Sequence, residues 1–343
     1  MARPKQQHYV TRAYLEGFLA KGERFLVCYG RGKGPFKRQP EDVASQRNYY
    51  AVKNADGSWD DSLENLIERF VEAPGLPVLK KLATRKTDLT WEERENLARL
   101  IAFQEMRTPA ARARVLETTQ ALTDRLVREV TTADPDQRSI ELVGEDGKKS
   151  TVTLDEIITS QQELHGEYCR QTHRLTIGPA LKITPILARM KFTVHYSLDR
   201  EFVTTDTPVI RVFRTRAALG YGLQRRDIEV RFPLARWAFL TLTHDHQFLK
   251  LFEGATRARQ RTMLEQVPKV HVRYVSGSDV DAFNRGHTRH ARMWLFAPSA
   301  VGWAKELLAE ASAAPAVRDL SRGDLMHFQS TVTYDPSIDA ASN

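Results

Sequence analysis

Several side chains far apart along the chain are of types that move protons and handle phosphate. Gln7 and His8 stand directly ahead of a helix in which Val10, Tyr14 and Phe18 fall four apart. Two side chains that both give and accept hydrogen bonds are not needed on a loose terminus. Glu64 and Glu68 are an i, i+4 pair on one helical face, where their repulsion calls for a divalent cation or an arginine. Further on, RLIAFQEMRTP puts Gln104, and then Arg107, on or beside the stripe of Leu97, Leu100 and Ile101 that faces a core. An unpaired buried amide costs about 1–3 kcal/mol and a guanidinium more, so both must have partners. Asp206 ends a strand in EFVTTDTPV, a place both rigid and open, although an Asp there also closes Asx-turns. Together these types suit metal-assisted phosphodiester chemistry. Glu68 and Asp206 would hold Mg²⁺ or Mn²⁺, His8 would move a proton, Arg107 would meet phosphate charge and Gln104 would orient a water or ligand. The structural alternative pairs Gln104 with a backbone strand and Arg107 with a carboxylate, and makes Glu64 an acidic helix edge.

Other clusters carry less. Glu229 and Arg231 in IEVRF share a strand face after Asp206, but arginine is a poor base. His244 and His246 have strand spacing without an evident third zinc ligand, and His165-Gly-Glu167 lacks the cysteines of a zinc deaminase. The basic excess is mostly arginine, and it bunches. Arg214, Arg216, Arg225 and Arg226, with Asn284 and Arg292 of NRGHTRHAR, form the expected nucleic-acid or phosphate surface. The 343 residues hold 51 Lys and Arg against 43 Asp and Glu, a net charge of +8 that makes polyanions plausible partners. Only Cys28 and Cys169 occur, no leader-like apolar run opens the chain, and no segment reaches the length of a membrane span. The expectation is a cytoplasmic protein with nucleic acid, and no membrane, as partner.

The elements that must position these groups read as follows. FLVCY (25–29) is a buried strand, and the turn-rich RGKGPFKRQP after it is a basic loop without Walker spacing. Leu63, Leu66, Ile67 and Phe70 mark one helix. Thr90-Trp-Glu-Glu93 is a capping box that opens another, and Pro109 ends or kinks it. A helix spans about 110–130, a hairpin with an Asp146-Gly147 turn about 138–154, and a helix 155–177. Past Pro185, KFTVHYS, EFVTTD, PVIRVF, IEVRFPL, WAFLTLT and KVHVRYV read as strands, followed by helices at 279–294 and 301–311 and a disordered tail from Asp335. The expected fold is α+β: a single domain over 1–334 whose helical half (about 1–184) packs on a mainly antiparallel sheet (about 185–334).

The order of short motifs resembles a family. Gln7-His8-Tyr9-Val10 with its Tyr-Leu-x-x-Phe helix, Asn48-Tyr49-Tyr50, Glu64, Ile67-Glu68, Phe103-Gln104, Arg107-Thr108-Pro109, Thr205-Asp206-Thr207-Pro208-Val209, Phe232-Pro233-Leu234 and Asn284 resemble the bacterial proteins classed as domain of unknown function 4238. Thr11 stands where that family usually has Pro, and Thr207 where it often has Asn; neither falls on a candidate catalytic residue. The resemblance implies a convergent polar site but brings no activity. The residues leave three readings: a nuclease-like enzyme, suited to a defence or toxin system; a nucleic-acid-binding protein without chemistry; and an enzyme on a small phosphorylated metabolite.

Overall fold

A computed structural model describes residues 6–31, 33–53, 59–60, 62–133, 139–143, 147–166, 170–213, 227–244 and 270–313, with the single positions 223 and 256. The chain divides into two compact units, 1–110 with 176–314 and 111–175 with 315–343. In chain order the first unit begins with β1 (Gln7–His8), α1 (Arg12–Leu15), β2 (Leu26–Gly30), β3 (Lys33–Arg38), β4 (Ser45–Gln46), β5 (Val52–Lys53) and β6 (Trp59–Asp60). Then come α2 (Ser62–Ile67), a π-turn at Glu68–Glu72, α3 (Ala73–Ala83), α4 (Trp91–Met106) and the start of α5 (Pro109–Ala133). The second unit holds most of α5, the antiparallel pair β7 (Ser139–Val143) and β8 (Lys149–Thr153), α6 (Leu154–Gly166) and the start of α7 (Arg170–Arg189). The first unit resumes with β9 (Lys191–Ser197), β10 (Thr204–Thr205), β11 (Ile210–Phe213), β12 (Ile228–Ala235), β13 (Ala238–Thr243), β14 (His271–Val275), α8 (Gly277–Thr288), β15 (Trp294–Ala297) and α9 (Ala304–Ala313).

Two sheets organise the first unit. The larger runs β11-β12-β13-β9-β14, antiparallel except where β14 joins β9 in parallel. Its central strands are buried on both faces. Phe192, Val194, Val230, Phe232, Leu240 and Leu242 enter one core with Tyr14 of α1, Phe18 of the 3-10 turn after it, Leu79 and Leu82 of α3, and Leu97 and Ile101 of α4. Tyr14 stacks on Phe232 at 5.2 Å, and the Tyr196 hydroxyl donates to the Leu82 carbonyl at 2.6 Å. The smaller sheet runs β10-β15-β2-β3. One face joins the main core through Cys28 and Phe296; the other packs Tyr29, Leu295 and Ala297 against Ala304 and Leu308 of α9.

This overturns the expected halves. The chain is mixed α+β, but strands are spread through it, and the helices occupy 62–133 and 154–189 between strands. N-terminal β2 and β3 pair into a sheet with C-terminal β10 and β15, a connection no local pattern announces. RGKGPFKRQP is largely strand β3 and not a loop: Pro35 and the lysines are tolerated because it is an edge strand. The helix expected over 279–294 is α8, which ends at Thr288, after which Trp294 begins β15. The tail from Asp335 lies outside the described residues. Among the described residues no helix is long and apolar enough to cross a membrane.

Candidate functional site

α4 supplies the floor of a cleft. Thr90 caps it as the sequence indicates: its hydroxyl accepts from Glu93 N at 3.1 Å, and Glu93 Oε2 accepts from Thr90 N at 2.8 Å. The same helix is tied down by Arg94, whose guanidinium donates to the carbonyls of Ala188 (2.6 Å) and Met190 and lies 3.8 Å over the Phe192 ring. α3 comes close to α4 because Gly75 has no side chain; a Cβ there would stand 2.7 Å from Leu100 Cβ. At its far end α4 carries Gln104 and, as C-cap, Arg107, after which Pro109 opens α5.

Both polar residues are buried and both are satisfied. Gln104 Nε2 donates to the Tyr9 carbonyl at 2.9 Å, while its oxygen accepts from Arg107 Nε at 3.0 Å and from Nη2. Arg107 Nη1 reaches Glu72 Oε1 at 2.5 Å, and Nη2 also meets the Thr11 hydroxyl, which donates to Glu72 Oε1 at 2.9 Å. Tyr49 closes the group by donating to the Arg107 carbonyl at 2.6 Å. Burial pushes the Glu72 carboxyl up, but the charge and hydrogen bonds of Arg107, with Thr11, outweigh it and hold it below the ordinary carboxylate range. The pair is therefore ionised in place.

Around this floor lies a cleft of about 210 Å³. His8, Thr11 and Arg12 line it from the N-terminal segment, Tyr50 from the following loop, Glu64 and Ile67 from α2, Glu68 and Glu72 from the π-turn, and Arg107 from the end of α4. The wider i→i+5 turn at 68–72 brings residues four apart closer to one face, so Glu64, Glu68 and Glu72 line the cleft together. Gln7 braces the wall: its amide donates to Glu64 Oε2 at 2.7 Å and its oxygen accepts from Tyr50 N at 2.6 Å. Glu68 is exposed and has no ion pair or hydrogen bond among the described residues. Desolvation lowers the His8 pKa below 6.5, opposed by backbone hydrogen bonds to Glu41 and Pro40, while Arg107 lowers it further and Glu72 raises it. His8 Nε2 is buried and has no hydrogen-bond partner among the described residues.

The sequence-derived set therefore divides. His8, Glu68 and Arg107 line one cleft, and Gln104 stands immediately behind Arg107. Asp206 does not join them. It is buried, with its oxygens accepting from Arg292 N (2.9 Å) and Met293 N (2.7 Å), while its own N–H donates to the Trp294 carbonyl at 3.0 Å. Burial pushes its carboxyl up to about 6 against those backbone donors. Asp206 is not among the side chains that line the cleft with Glu68, and among the described residues no three His, Cys, Asp or Glu side chains are grouped to hold a metal ion. Asn284 is a structural clasp, accepting from Val203 N and donating to the Glu201 carbonyl, each at 3.0 Å. The Arg292 side chain donates to the Pro109 carbonyl at 2.5 Å. Arg214, Arg216, Arg225, Arg226 and His246 lie outside the described residues. Arg231 pairs with Glu229 at 2.6 Å, and His244 with the Leu223 carbonyl at 2.6 Å.

Two members of the site escape the sequence reading. Glu72 continues the spacing Glu64-x3-Glu68-x3-Glu72, a repeat that signals it. Thr11, read as a departure outside the site, sits inside it as the bridge between Arg107 and Glu72. No curated protein and no solved structure matches this chain. Residues 6–300 match the family described as protein of unknown function (DUF4238), and the chain belongs to it.

Proposed function

We propose that the cleft is the active site of an acid–base enzyme acting on a small polar molecule, preferably one carrying a positive charge. The observation that carries this reading is the pairing of His8, whose pKa is lowered by burial and whose Nε2 has no hydrogen-bond partner among the described residues, with an exposed Glu68 over a floor that is already charge-balanced. His8 Nε2, buried before a substrate arrives, would take and return the substrate's proton once binding opens the wall around it, and Glu68 would hold the substrate's positive end. A phosphate is the poorer fit. It would meet three carboxylates, while each nitrogen of Arg107 already has an acceptor and Arg12 is held by Glu16 and Glu41 at 2.9 and 3.0 Å. That favours the small-molecule reading over phosphodiester cleavage in this cleft.

The test is to incubate the full chain with a metabolite extract and follow depletion by mass spectrometry, beside Glu68→Gln and His8→Asn. Depletion of an amine- or guanidine-bearing compound by wild type alone is expected. Equal depletion by all three proteins, or none by any, overturns the reading.

A further inference from the structure

The edge of the four-stranded sheet carries a surface unlike the cleft. β3 is its outermost strand, and all its side chains are exposed except the half-buried Phe36. Pro35 and two lysines are what an edge needs to discourage strand pairing. The aromatic groups set among the cations, Phe36 and Trp294, pack one side against the main core and leave the other half-exposed. A register shift between Cys28 and Gly30 places Lys33 opposite Gly30 and Phe36 opposite Cys28, so two residues three apart share a face of β3. Trp294 of β15 lies opposite Gly30 on that same face. Gly30 is what admits the indole: a Cβ there would fall 2.4 Å from Trp294 Cζ3. Trp294 meets Phe36 edge-on at 5.7 Å, the Lys33 ammonium is 6.0 Å from the indole, and the Arg38 guanidinium is 5.3 Å from the Phe36 ring. Neither Lys33 nor Arg38 has an acidic partner among the described residues, and Lys37 reaches only Glu23, at 4.0 Å. Asp206 supports the display from behind, because its carboxylate fixes the backbone at Arg292 and Met293 from which Trp294 projects.

We propose that this edge docks single-stranded nucleic acid, with Trp294 and Phe36 offering ring surface to bases and Lys33, Lys37 and Arg38 meeting phosphates. Half-exposed rings set beside the cations of a sheet edge suit unpaired bases, which have free π-faces, better than a closed duplex. Positive charge alone would suit any polyanion. The rings make the difference. This inference stands apart from the cleft and does not depend on its chemistry.

The experiment is fluorescence anisotropy of a labelled oligo(dT) of about ten nucleotides titrated with the full chain across a salt series. A duplex of equal length and phosphatidylserine vesicles serve as rival probes. Binding to the single strand tighter than to either rival is expected, with a log–log salt slope near about −2 for three phosphate contacts. Lys33→Gln, Lys37→Gln and Arg38→Gln combined should weaken it at least about tenfold and flatten the slope. Phe36→Leu should weaken it by about threefold with the slope unchanged. Unchanged melting of each variant confirms folding. Absence of binding at low salt, full binding by the triple variant, or equal affinity for duplex or vesicles overturns the proposal.

Discussion

The cleft and the β3 edge share a plan and differ in sign. Each rests on a buried charge occupied in holding other groups: Arg107 under the cleft, Asp206 behind the edge. Each then presents groups of one sign beside that support, with Glu68 exposed in the cleft and Lys33 and Arg38 on the strand. The supports are neutralised differently. Arg107 is answered by the carboxylate of Glu72, so the pair stays charged and balanced. Asp206 is answered by peptide N–H groups, and burial still lifts its carboxyl to about 6. The lesson is that a buried charge here organises its neighbours, and the chemistry is offered by the half-exposed groups beside it. The net charge of +8 locates neither region, since the cleft runs against it.

The largest expected effect comes from removing the cleft's support. Arg107→Ala leaves Glu72 and the Gln104 oxygen without their donor, at a cost of about 3–5 kcal/mol, typical of breaking a buried pair. Arg107→Met combined with Glu72→Leu should recover most of that loss, because no uncompensated charge remains. Urea unfolding of the three proteins measures it. A cost under about 1 kcal/mol for Arg107→Ala would mean the floor is not a support at all, and the likeness to Asp206 would fail.

A second effect separates supports from buried groups that hold nothing. His287 of α8 is fully buried with neither ring nitrogen partnered among the described residues, and burial pushes it down to about 3, helped by His290 and Arg231. His195 on β9 bonds Thr241 at 2.9 Å and is pushed to about 4, again chiefly by burial. Both folded values lie below the unfolded value of about 6.5, so the unfolded chain binds more protons as the pH falls from there. The stability these histidines contribute is complete above about 6.5 and is lost as the pH falls towards 4 and 3. Asp206 runs the other way, being raised: its penalty is present above about 6 and is relieved as the pH falls to its unfolded value. Urea midpoints between about pH 8 and pH 4.5 should therefore fall on acidification. His287→Leu should remove up to about 1.4 kcal/mol per pH unit of that slope. A slope unchanged in the variant would show that His287 is protonated or solvated in the native protein.

How much of this was legible follows from where each signal lives. The Thr90 capping box and the polar pair on the α4 stripe are local patterns, and the structure realises both. Gln7 also earns its place at the terminus, as the brace between Glu64 and Tyr50. Glu72 was legible in the four-residue repeat of Glu64 and Glu68 but was passed over, and the π-turn at 68–72 sharpens its alignment with them. β3 was misread because glycine, proline and lysine mark both loops and protected edges, and only pairing with β2 decides between them. Asp206 was placed in the wrong assembly for a similar reason. A strand-end carboxylate looks the same from sequence whether it faces a ligand or the N–H groups of a segment some 86 residues away.

The smallest effects on stability carry the sharpest test of the comparison. Glu68 and Lys33 are exposed and without ion-pair partners among the described residues, so Glu68→Gln and Lys33→Gln should each shift unfolding free energy by no more than about 0.5 kcal/mol. Their consequences for binding should cross. Spermidine, a small polyamine, should raise the melting temperature of wild type and Lys33→Gln but not of Glu68→Gln. Oligo(dT) affinity should fall in Lys33→Gln and hold in Glu68→Gln. Because the two variants are matched in size of perturbation and in their indifference to folding, only the location of the lost charge can produce a crossed result. If either substitution moved both readouts, the acidic cleft and the basic edge would be one binding surface with two faces, and the separation drawn between them would be wrong.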